Sequence, residues 1–521
     1  MKKWYSSSGL TRRSFLQTTA AGAAVTAGGL IVPKRASAQT GAFRAAIGHG
    51  QTTDSLNPGT WENDFTITLA YGYCGYLTGV ARDGSLEPQI AESWEASADA
   101  ATWRFKIRPG ATFHSGKAIT PEDVIASVNF HRGEESTSAA KPLVEGIEDI
   151  TADGDDTVVF SLSGGNADFP FTFTDYHIPV LKATDDGGID WQSRDGCGPY
   201  KLVEFEPGVR AVFEKNENDW DSNRGFLSTV EVLAVVDTNA RTTALVSGDV
   251  NMIDKIDLKT VGLMSRNPNI KIHSVAGNQH YTFPMYSSQA PFDDNNVRLA
   301  LKYAVNRQEL VDKILFGYGS LGNDHPIGQG QRFYHSELPQ TEYDPDKAKF
   351  HLKEAGLDSL NVRLSVADAA FAGAIDAGVL YQNSASAAGI TIEVNRVPND
   401  GYWSDVWMQH EWSASYWGGR PTEDAMFATA YSKGAAWNES FWDNDRFNEL
   451  LVQARSELDE DKRREMYWEM QEILQTDGGS VVPMFANYNF ATGPGVDTQG
   501  DSFSSHWDKD GHRWMERWTM S

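Results

Sequence analysis

Residues 86–124 read LEPQIAESWEASADAATWRFKIRPGATFHSGKAITPEDV, and much of this stretch has a predictable local structure. Trp103, Phe105 and Ile107 alternate with basic residues, which is the period of a strand with one buried face. The Pro-Gly dipeptide at 109–110 follows and predicts a turn. The stretch therefore contains a half-buried strand that ends in a tight turn.

The end of the same stretch predicts the start of a helix. Thr120 is suited to the N-cap, Pro121 to the first helical position and Asp123 to the third. Val124 and Val128 then recur on one helical face. We expect a helix that begins at residue 121 and packs through this face.

Two regions farther along the chain have equally clear local patterns. Asp293 or Asp294 can cap a helix whose apolar residues recur at helical spacing. Residues 361–366 and 390–394 are strand-like and flank a helical segment at 371–388. This order predicts a strand-helix-strand unit of a mostly parallel sheet.

The first stretch and three later segments together resemble one known family. Residues 196–202 (GCGPYKL), 243–250 (TALVSGDV) and 291–307 (PFDDNNVRLALKYAVNR) follow it in the chain. Their order and wording resemble the extracellular solute-binding proteins of family 5, the peptide, nickel and opine receptors of ABC importers. Cys197 stands where that family usually has threonine. The matches extend in order from about Asn57 to Phe485, nearly the whole chain after its first residues.

The resemblance implies an α/β fold with two lobes that close on a ligand like a clam-shell. An additional domain is expected within the first lobe. The sequence has neither an internal repeat nor a low-complexity linker, so we expect the lobes to be interleaved along the chain rather than arranged in series. We expect the following boundaries: a signal peptide at 1–38, lobe I at 39–75, 195–277 and 489–521, the additional domain at 76–194, and lobe II at 278–488.

Composition fits a soluble, strongly acidic protein with more than one domain. The chain has 521 residues, which is too long for one hydrophobic core, and its net charge is −26. Residues 1–38 contain six basic residues and no acid, so the remainder carries 39 basic against 71 acidic residues. An acidic surface of this kind excludes nucleic acid and anionic lipid as partners.

The first 38 residues resemble a Tat export signal. Arg12 and Arg13 precede a short apolar segment at 18–32, and Ala36-Ser37-Ala38 follows as a cleavage site. A single membrane anchor is the alternative, but about fifteen weakly apolar residues are too few to span a bilayer. We expect a periplasmic protein, not inserted in the membrane, that begins near Gln39.

The two cysteines, Cys74 and Cys197, would share an oxidising compartment. A disulfide between them and two separate buried thiols are both compatible with the sequence. Relatives in the family carry a first-lobe glutamate in a y-E-G-L motif, where this chain has Cys74-Gly75.

Residues 403–442 contain ten aromatic side chains, together with a Gly-Gly pair at 418–419 and Arg420. Aromatic rings bury a large area with little loss of rotamer entropy and can hold a cation. Their spacing fits neither a helical nor a strand period. Part of a hydrophobic core and the wall of a ligand pocket are both consistent with this pattern.

Peptide-binding relatives carry a W-x-x-D motif whose aspartate pairs with the α-amino group of the peptide. This chain has Trp417-Gly418-Gly419-Arg420, so the acid is replaced by a base. Facing the pocket, Arg420 would require a carboxylate or another acceptor on the ligand. Alternatively, it folds back onto Glu423 or Asp424 as a local ion pair.

The predicted ligand-binding residues combine this motif with its neighbours and the presumed crossover into the second lobe. They are Arg420, Trp417, Tyr416, Trp437, Asn438, Tyr281 and Cys74. Tyr416 and Trp437 are equally suited to a core, and Asn438 to a turn.

Motifs for catalysis and metal binding are missing from the sequence. It has no H-E-x-x-H, G-x-S-x-G, P-loop or C-x-x-C motif. The segment that begins at Asp219 resembles a calcium loop, but its glycine is one place late and position twelve is Val230. His49, His114 and His280 lack ligand spacing. We therefore expect no catalysis, no metal and no cofactor.

The sequence thus predicts a monomeric periplasmic receptor that delivers a small peptide or peptide-like ligand to an ABC permease. An opine-like or N-modified amino acid is the alternative ligand, because Arg420 replaces the family's acid. A secreted hydrolase and a receptor that docks on a chemotaxis transducer are the alternatives from other classes.

Overall fold

The computed structural model describes residues 41–399 and 401–521, and residues 41–521 form one compact unit. The predicted export signal lies outside the described residues. Among the residues that are described, no helix has the length and apolar character needed to cross a membrane.

The elements are numbered in chain order. The strands are β1 (Phe43–Ile47), β2 (Thr78–Val80), β3 (Leu86–Pro88), β4 (Ala91–Ala96), β5 (Thr102–Ile107), β6 (Ile147–Ala152), β7 (Thr157–Leu162), β8 (Tyr200–Glu206), β9 (Arg210–Lys215), β10 (Thr229–Ala234), β11 (Met252–Ile253), β12 (Lys271–Val275), β13 (His280–Pro284), β14 (Gly319–Leu321), β15 (Leu360–Val366), β16 (Ile390–Arg396), β17 (Ser415–Trp417), β18 (Ser480–Ala486), β19 (Tyr488–Thr492), β20 (Val496–Asp497) and β21 (Thr519–Met520). The helices are α1 (Asp64–Tyr73), α2 (Pro121–Asn129), α3 (Lys141–Val144), α4 (Phe169–Thr172), α5 (Thr238–Ser247), α6 (Val261–Met264), α7 (Asn295–Ala304), α8 (Arg307–Ile314), α9 (Pro345–Glu354), α10 (Ala374–Ser386), α11 (Tyr402–Asp405), α12 (Glu423–Ala430), α13 (Asp445–Ser456), α14 (Glu460–Asp477), α15 (Asp508–Gly511) and α16 (Trp514–Arg517).

The first lobe is built on a seven-stranded sheet in the order β12-β19-β11-β1-β10-β9-β8. The central strand β1 (FRAAI) is almost entirely buried and runs parallel to β10 and β11. A strand covered on both faces needs apolar residues at nearly every position, which explains this composition. The remaining pairs in the sheet are antiparallel.

A second, antiparallel sheet in the order β4-β5-β7-β6 contains the stretch at 86–124. Strand β5 buries Trp103, Phe105 and Ile107 and leaves the residues between them less buried, as predicted. Helix α2 begins at Pro121, and Thr120 and Asp123 form a reciprocal capping box. Both predictions from this stretch are confirmed.

The second lobe contains a four-stranded sheet in the order β14-β18-β13-β17 and a parallel pair, β15 and β16. Helix α10 connects β15 to β16, which confirms the predicted strand-helix-strand unit. Asp294 caps α7 through a hydrogen bond from the backbone of Asn296, so the second of the two predicted caps is used.

Two short crossings connect the large sheets. The first joins β12 to β13 through residues 276–279, and the second joins β18 to β19 at Asn487. Adjacent residues on each side of a crossing thus belong to different lobes. Few backbone torsions need to change for one lobe to rotate on the other, as at other hinges. The exact domain boundaries predicted above stay a prediction.

Asp168 forms a buried ion-pair cluster with arginines of the second lobe. Its carboxylate accepts two hydrogen bonds from Arg463 (2.9 and 2.7 Å) and one from Arg332 (2.9 Å). Burial alone would raise the pKa of Asp168, but Arg463 and then Arg332 lower it below its ordinary value. The carboxylate is therefore held in its charged form at the contact between the lobes.

A second buried charge cluster lies near the C-terminus, where the backbone is strained. Lys509 and Asp510 have φ values of 51° and 59° and interrupt α15, although neither is glycine. The ammonium group of Lys509 is fully buried and lies 3.1 Å from Asp508, 3.4 Å from Asp254 and 3.6 Å from Asp64. Lys509 thus lies between three carboxylates, of which Asp64 also pairs with Lys255 (2.6 Å) and Asp254 with Arg241 (3.6 Å). These contacts fix the strained turn against the first lobe.

We predict that Lys509→Met lowers the free energy of unfolding by about 3–5 kcal/mol, because it leaves the buried carboxylate of Asp508 without a cation and removes one of the cations beside Asp64 and Asp254. Urea denaturation of the wild type and the variant measures this difference. Lys271→Met is the matched control: its pair with Asp501 is exposed, so we expect a loss below about 1 kcal/mol. Equal losses of unfolding free energy in the two variants would contradict the proposed contribution of the buried cluster to stability.

Candidate ligand-binding site

The pairing of β13 with β17 places the W-x-x-R segment beside the first crossing between the lobes. Trp417 pairs with His280, and Tyr416 pairs with Tyr281. Because neighbouring residues of a strand point to opposite faces, Trp417 is buried whereas Tyr416 is 42% exposed.

Four tryptophans form a continuous surface that extends from this strand. The ring centroids of Trp417 and Trp437 lie 6.1 Å apart, those of Trp437 and Trp407 6.5 Å, and those of Trp407 and Trp403 5.8 Å. Trp437 is 48% exposed and Trp403 42%. We refer to these four residues as the tryptophan platform; Tyr416 extends it, 5.6 Å from Trp403.

The aromatic stretch therefore serves both of the purposes that the sequence left open. Trp412, Phe427, Tyr431 and Trp442 are buried in the hydrophobic cores of the second lobe. Of the platform residues, Trp403 and Trp437 are about half-exposed and Trp407 is partly exposed, whereas Trp417 is buried. Half-exposed aromatic rings are typical of surfaces that bind a partner or ligand.

Glu439 lies beneath the platform and is the residue that the sequence analysis missed. Its carboxylate accepts hydrogen bonds from the indole of Trp417 (2.9 Å), the hydroxyl of Thr282 (3.3 Å), the indole of Trp407 and the hydroxyl of Ser415. It is 5% exposed, and no ion pair to it is found among residues 41–399 and 401–521. An acid between aromatic residues, in the sequence WNESFW, is the one local signal that could have singled it out.

Two opposing effects act on the charge of Glu439. Burial raises the pKa of Glu439 above its ordinary value, although the four hydrogen bonds act in the opposite direction. An indole N–H can only donate, and each carboxylate oxygen accepts from one indole. This arrangement is suited to the ionised carboxylate.

Arg420 lies at the other side of the Trp417 ring, with its guanidinium carbon 5.4 Å from the ring centroid. Its one hydrogen bond within the described part of the chain is to the carbonyl oxygen of Gly419 (2.8 Å). Burial lowers the pKa of Arg420, and the nearby phenol of Tyr176 in the first lobe opposes this shift. Arg420 is thus a partly desolvated cation that faces the other lobe.

The alternative in which Arg420 folds back onto Glu423 or Asp424 is not observed. Glu423 accepts a hydrogen bond from the backbone of Phe333 (2.7 Å), and Asp424 pairs with Arg455 (3.1 Å). Both acids therefore have other partners, and the guanidinium has no counter-ion in the regions that the structure covers.

The other predicted site residues are placed less favourably for contact with a ligand. Tyr281 is 8% exposed and stacks on Phe371 at 4.1 Å. The side chain of Asn438 is buried and donates to the carbonyl oxygen of Trp442 (2.7 Å), so it braces the loop that carries Glu439. Cys74 is buried at the end of α1. Their role in binding stays a prediction.

Cys74 and Cys197 are both free thiols in this structure. Burial raises the pKa of Cys197 to about 12 and that of Cys74 well above its ordinary value. Thiols of this kind are protonated at neutral pH and behave as small apolar side chains.

Within residues 41–399 and 401–521, no cluster of three or more histidine, cysteine, aspartate or glutamate side chains is arranged to hold a metal ion. Burial lowers the pKa of His280 to about 4 and that of His325 to about 3, so both are neutral core side chains.

Cavities elsewhere in the chain do not coincide with the platform. A cavity of about 20 Å³ between the lobes is lined by Phe171, Asn278, Arg332, Glu423 and His506, among others. A more open one of about 610 Å³ lies beside β15 and β16. The platform residues, which lie near the first crossing, line neither of these two cavities.

A sequence model of the bacterial extracellular solute-binding proteins, family 5 Middle, matches residues 85–439, well over half of the chain. The chain belongs to this family. The predicted family is thereby confirmed.

Relatives of this solute-binding protein are similar over most of their length. It is 25% identical to the glutathione-binding protein GsiB of Pectobacterium atrosepticum over 461 residues, 83% of this chain and 87% of that protein. It is also 25% identical to the probable D,D-dipeptide-binding periplasmic protein DdpA of Escherichia coli, over 85% of this chain and 89% of that protein.

The fold of this solute-binding protein is similar to solved structures as well. The structure of HbpA2 from Haemophilus parasuis matches with a TM-score of 0.81 at 17% identity, over 92% of this chain and all of that one. The predicted two-lobed α/β fold is therefore confirmed.

Gly419 fixes the position of Arg420 against the first crossing. Its φ is +81°, and a Cβ atom there would lie 2.6 Å from the Cβ of Asn278. Gly418 has a φ outside the left-handed region and open space around its Cβ position. The two neighbours thus differ in their need for glycine.

We predict that Gly419→Ala lowers the free energy of unfolding by about 2 kcal/mol or more, because strain and the clash with Asn278 add together. Gly418→Ala should change it by less than about 0.5 kcal/mol. Urea denaturation of both variants checks this, and equal effects would show that the close contact at Asn278 is unimportant.

Proposed function

We propose that this family-5 protein is the periplasmic receptor of an ABC importer. It captures a small peptide-like ligand between its lobes and passes it unaltered to the membrane permease. The observation that carries the proposal is a partly desolvated arginine that has no counter-ion among the described residues, placed beside a half-exposed aromatic surface at the first crossing. The names of the glutathione-binding and dipeptide-binding relatives support a ligand of this class.

Arg420 determines which end of the ligand lies at the hinge. Pairing a buried guanidinium with an ammonium group would cost several kcal/mol, whereas a carboxylate can form two parallel hydrogen bonds with it. The phenol of Tyr176 acts on the charge of Arg420 from the first lobe, so a carboxylate held by Arg420 would lie between groups of both lobes. Such a ligand binds the closed arrangement more tightly than an open one, and this difference drives closure.

The remaining parts of the proposal follow from the sequence. Residues 1–38 direct export through the Tat pathway, and the mature protein acts as a monomer in the periplasm. The domain boundaries given above, with the hinge at the two crossings, complete the proposed organisation. The chain performs no chemistry on its ligand.

The test begins with mass spectrometry of the small molecules that co-purify with the exported protein. The compound identified is added back to stripped protein, where a concentration of 100 times its Kd should stabilise the fold by about 2.7 kcal/mol. Arg420→Gln should weaken binding at least about tenfold, because it removes the partner of the ligand's carboxylate.

Arg446→Gln is the control, since that arginine is exposed and pairs with Glu469 on the surface of the second lobe. It should bind as the wild type does. Conversion of the compound to a new product would contradict the proposal and favour a secreted hydrolase. Equal binding by Arg420→Gln and the wild type would rule out the carboxylate pairing.

A further inference from the structure

Glu439 is a buried carboxylate surrounded by neutral donors. Taking a carboxylate out of water costs several kcal/mol unless a cation or several hydrogen bonds compensate. Here two indoles and two hydroxyls compensate. The carboxylate braces both indoles, because each of its oxygens accepts from one of them. Among residues 41–399 and 401–521, however, no cation pairs with it.

The carboxylate changes the surface above it. An indole that donates its N–H to an anion is polarised, and its ring face becomes more electron-rich. Trp407 and Trp417 both donate to Glu439, and Trp437 lies within 6.5 Å of each ring. The ring of Trp437, which is 48% exposed, therefore lies beside two indoles that are hydrogen-bonded to a carboxylate, and this favours a cation at its face.

The overall charge of the chain acts in the same direction. The net charge of −26 creates a negative potential that attracts cationic ligands over long distances. Arg420 is a positive group at the edge of this surface, 5.4 Å from the Trp417 ring. The platform thus has a cation at one end and a buried anion beneath it.

Arg420 and the exposed ring of Trp437 are both neighbours of the Trp417 ring. The steps from the Arg420 guanidinium to the Trp417 ring and on to Trp437 measure 5.4 and 6.1 Å. An extended peptide of about three residues spans a comparable length. A ligand with opposite charges at its ends can contact both groups at once.

We propose that the tryptophan platform, with Glu439 beneath it, binds the cationic group of a zwitterionic ligand whose carboxylate pairs with Arg420. This inference rests on the proposed function and adds the second half of the ligand. In peptide-binding relatives the ammonium group pairs with the aspartate of the W-x-x-D motif. In this chain the ammonium site would instead lie on aromatic faces next to a buried acid.

Choline and its neutral isostere 3,3-dimethylbutan-1-ol test the platform alone, because they differ in charge and lack a carboxylate. Binding is measured by the change in tryptophan fluorescence. The wild type should prefer choline by about tenfold or more, and Glu439→Gln should reduce this preference below about threefold. Glu423→Gln is the matched control, since Glu423 is a buried glutamate of the same lobe that accepts a hydrogen bond from the backbone of Phe333, and the variant should leave the preference intact.

A second variant keeps the test independent of folding. The ring of Trp437 is 48% exposed and makes no side-chain hydrogen bond in the described part of the chain, so Trp437→Leu should fold normally and lose the preference for choline. A wild type without preference, or a preference retained in either Glu439→Gln or Trp437→Leu, would overturn the inference.

The same assay separates this inference from the proposed function. Arg420→Gln should retain or strengthen choline binding, because it removes a like charge, although it loses the carboxylated ligand. If the wild type shows no preference for choline but binds the carboxylated ligand through Arg420, only the cation site is refuted. A failure of the co-purified ligand to bind, with choline preference intact, would refute the proposed function and leave the platform.

Discussion

The buried contact between Asp168 and the guanidinium groups of Arg463 and Arg332 holds the two lobes in the observed arrangement. Elsewhere the chain passes between the large sheets at residues 276–279 and at Asn487. Short crossings permit rotation, whereas a desolvated ion pair requires a defined geometry. If one lobe rotates on the other, the Asp168 contact can persist only when it lies close to the rotation axis. Otherwise the rotation breaks the contact at a cost of several kcal/mol.

The candidate site depends on the same crossings. Strand β13 starts directly after the first one and pairs with β17, so Trp417 and Arg420 are carried by the part of the second lobe that lies next to the hinge. The Trp417 ring then connects two opposite charges, the Arg420 guanidinium beside its face and the Glu439 carboxylate at its N–H. Aromatic faces supply apolar contact area, and the charges at either side give a ligand its orientation.

The elements that the sequence predicted correctly are those determined by neighbouring residues. Strand β5 and the cap of α2 follow from an alternating pattern and a four-residue motif. The strand-helix-strand unit of β15, α10 and β16 follows from a change of period within 37 residues, Leu360 to Arg396.

The features that were missed depend on residues far apart in the chain. Glu439 accepts a hydrogen bond from Thr282, which lies 157 positions away in the sequence. No local sequence pattern shows that an acid in this loop will reach that strand. Lys509 adopts a left-handed conformation that sequence rules assign to glycine, and the compensating carboxylates lie on distant elements. The sequence also left the partner of Arg420 undecided. In the structure Glu423 accepts a hydrogen bond from the backbone of Phe333, and Asp424 pairs with Arg455, so neither acid pairs with Arg420.

The central claim is that this chain is a hinged receptor that closes on a small zwitterionic ligand held at Trp417 and Arg420. Small-angle X-ray scattering of the stripped protein, with and without a saturating amount of the co-purified compound, tests this claim most directly. The account predicts a smaller radius of gyration when the compound is bound. An unchanged radius of gyration at saturation would contradict it.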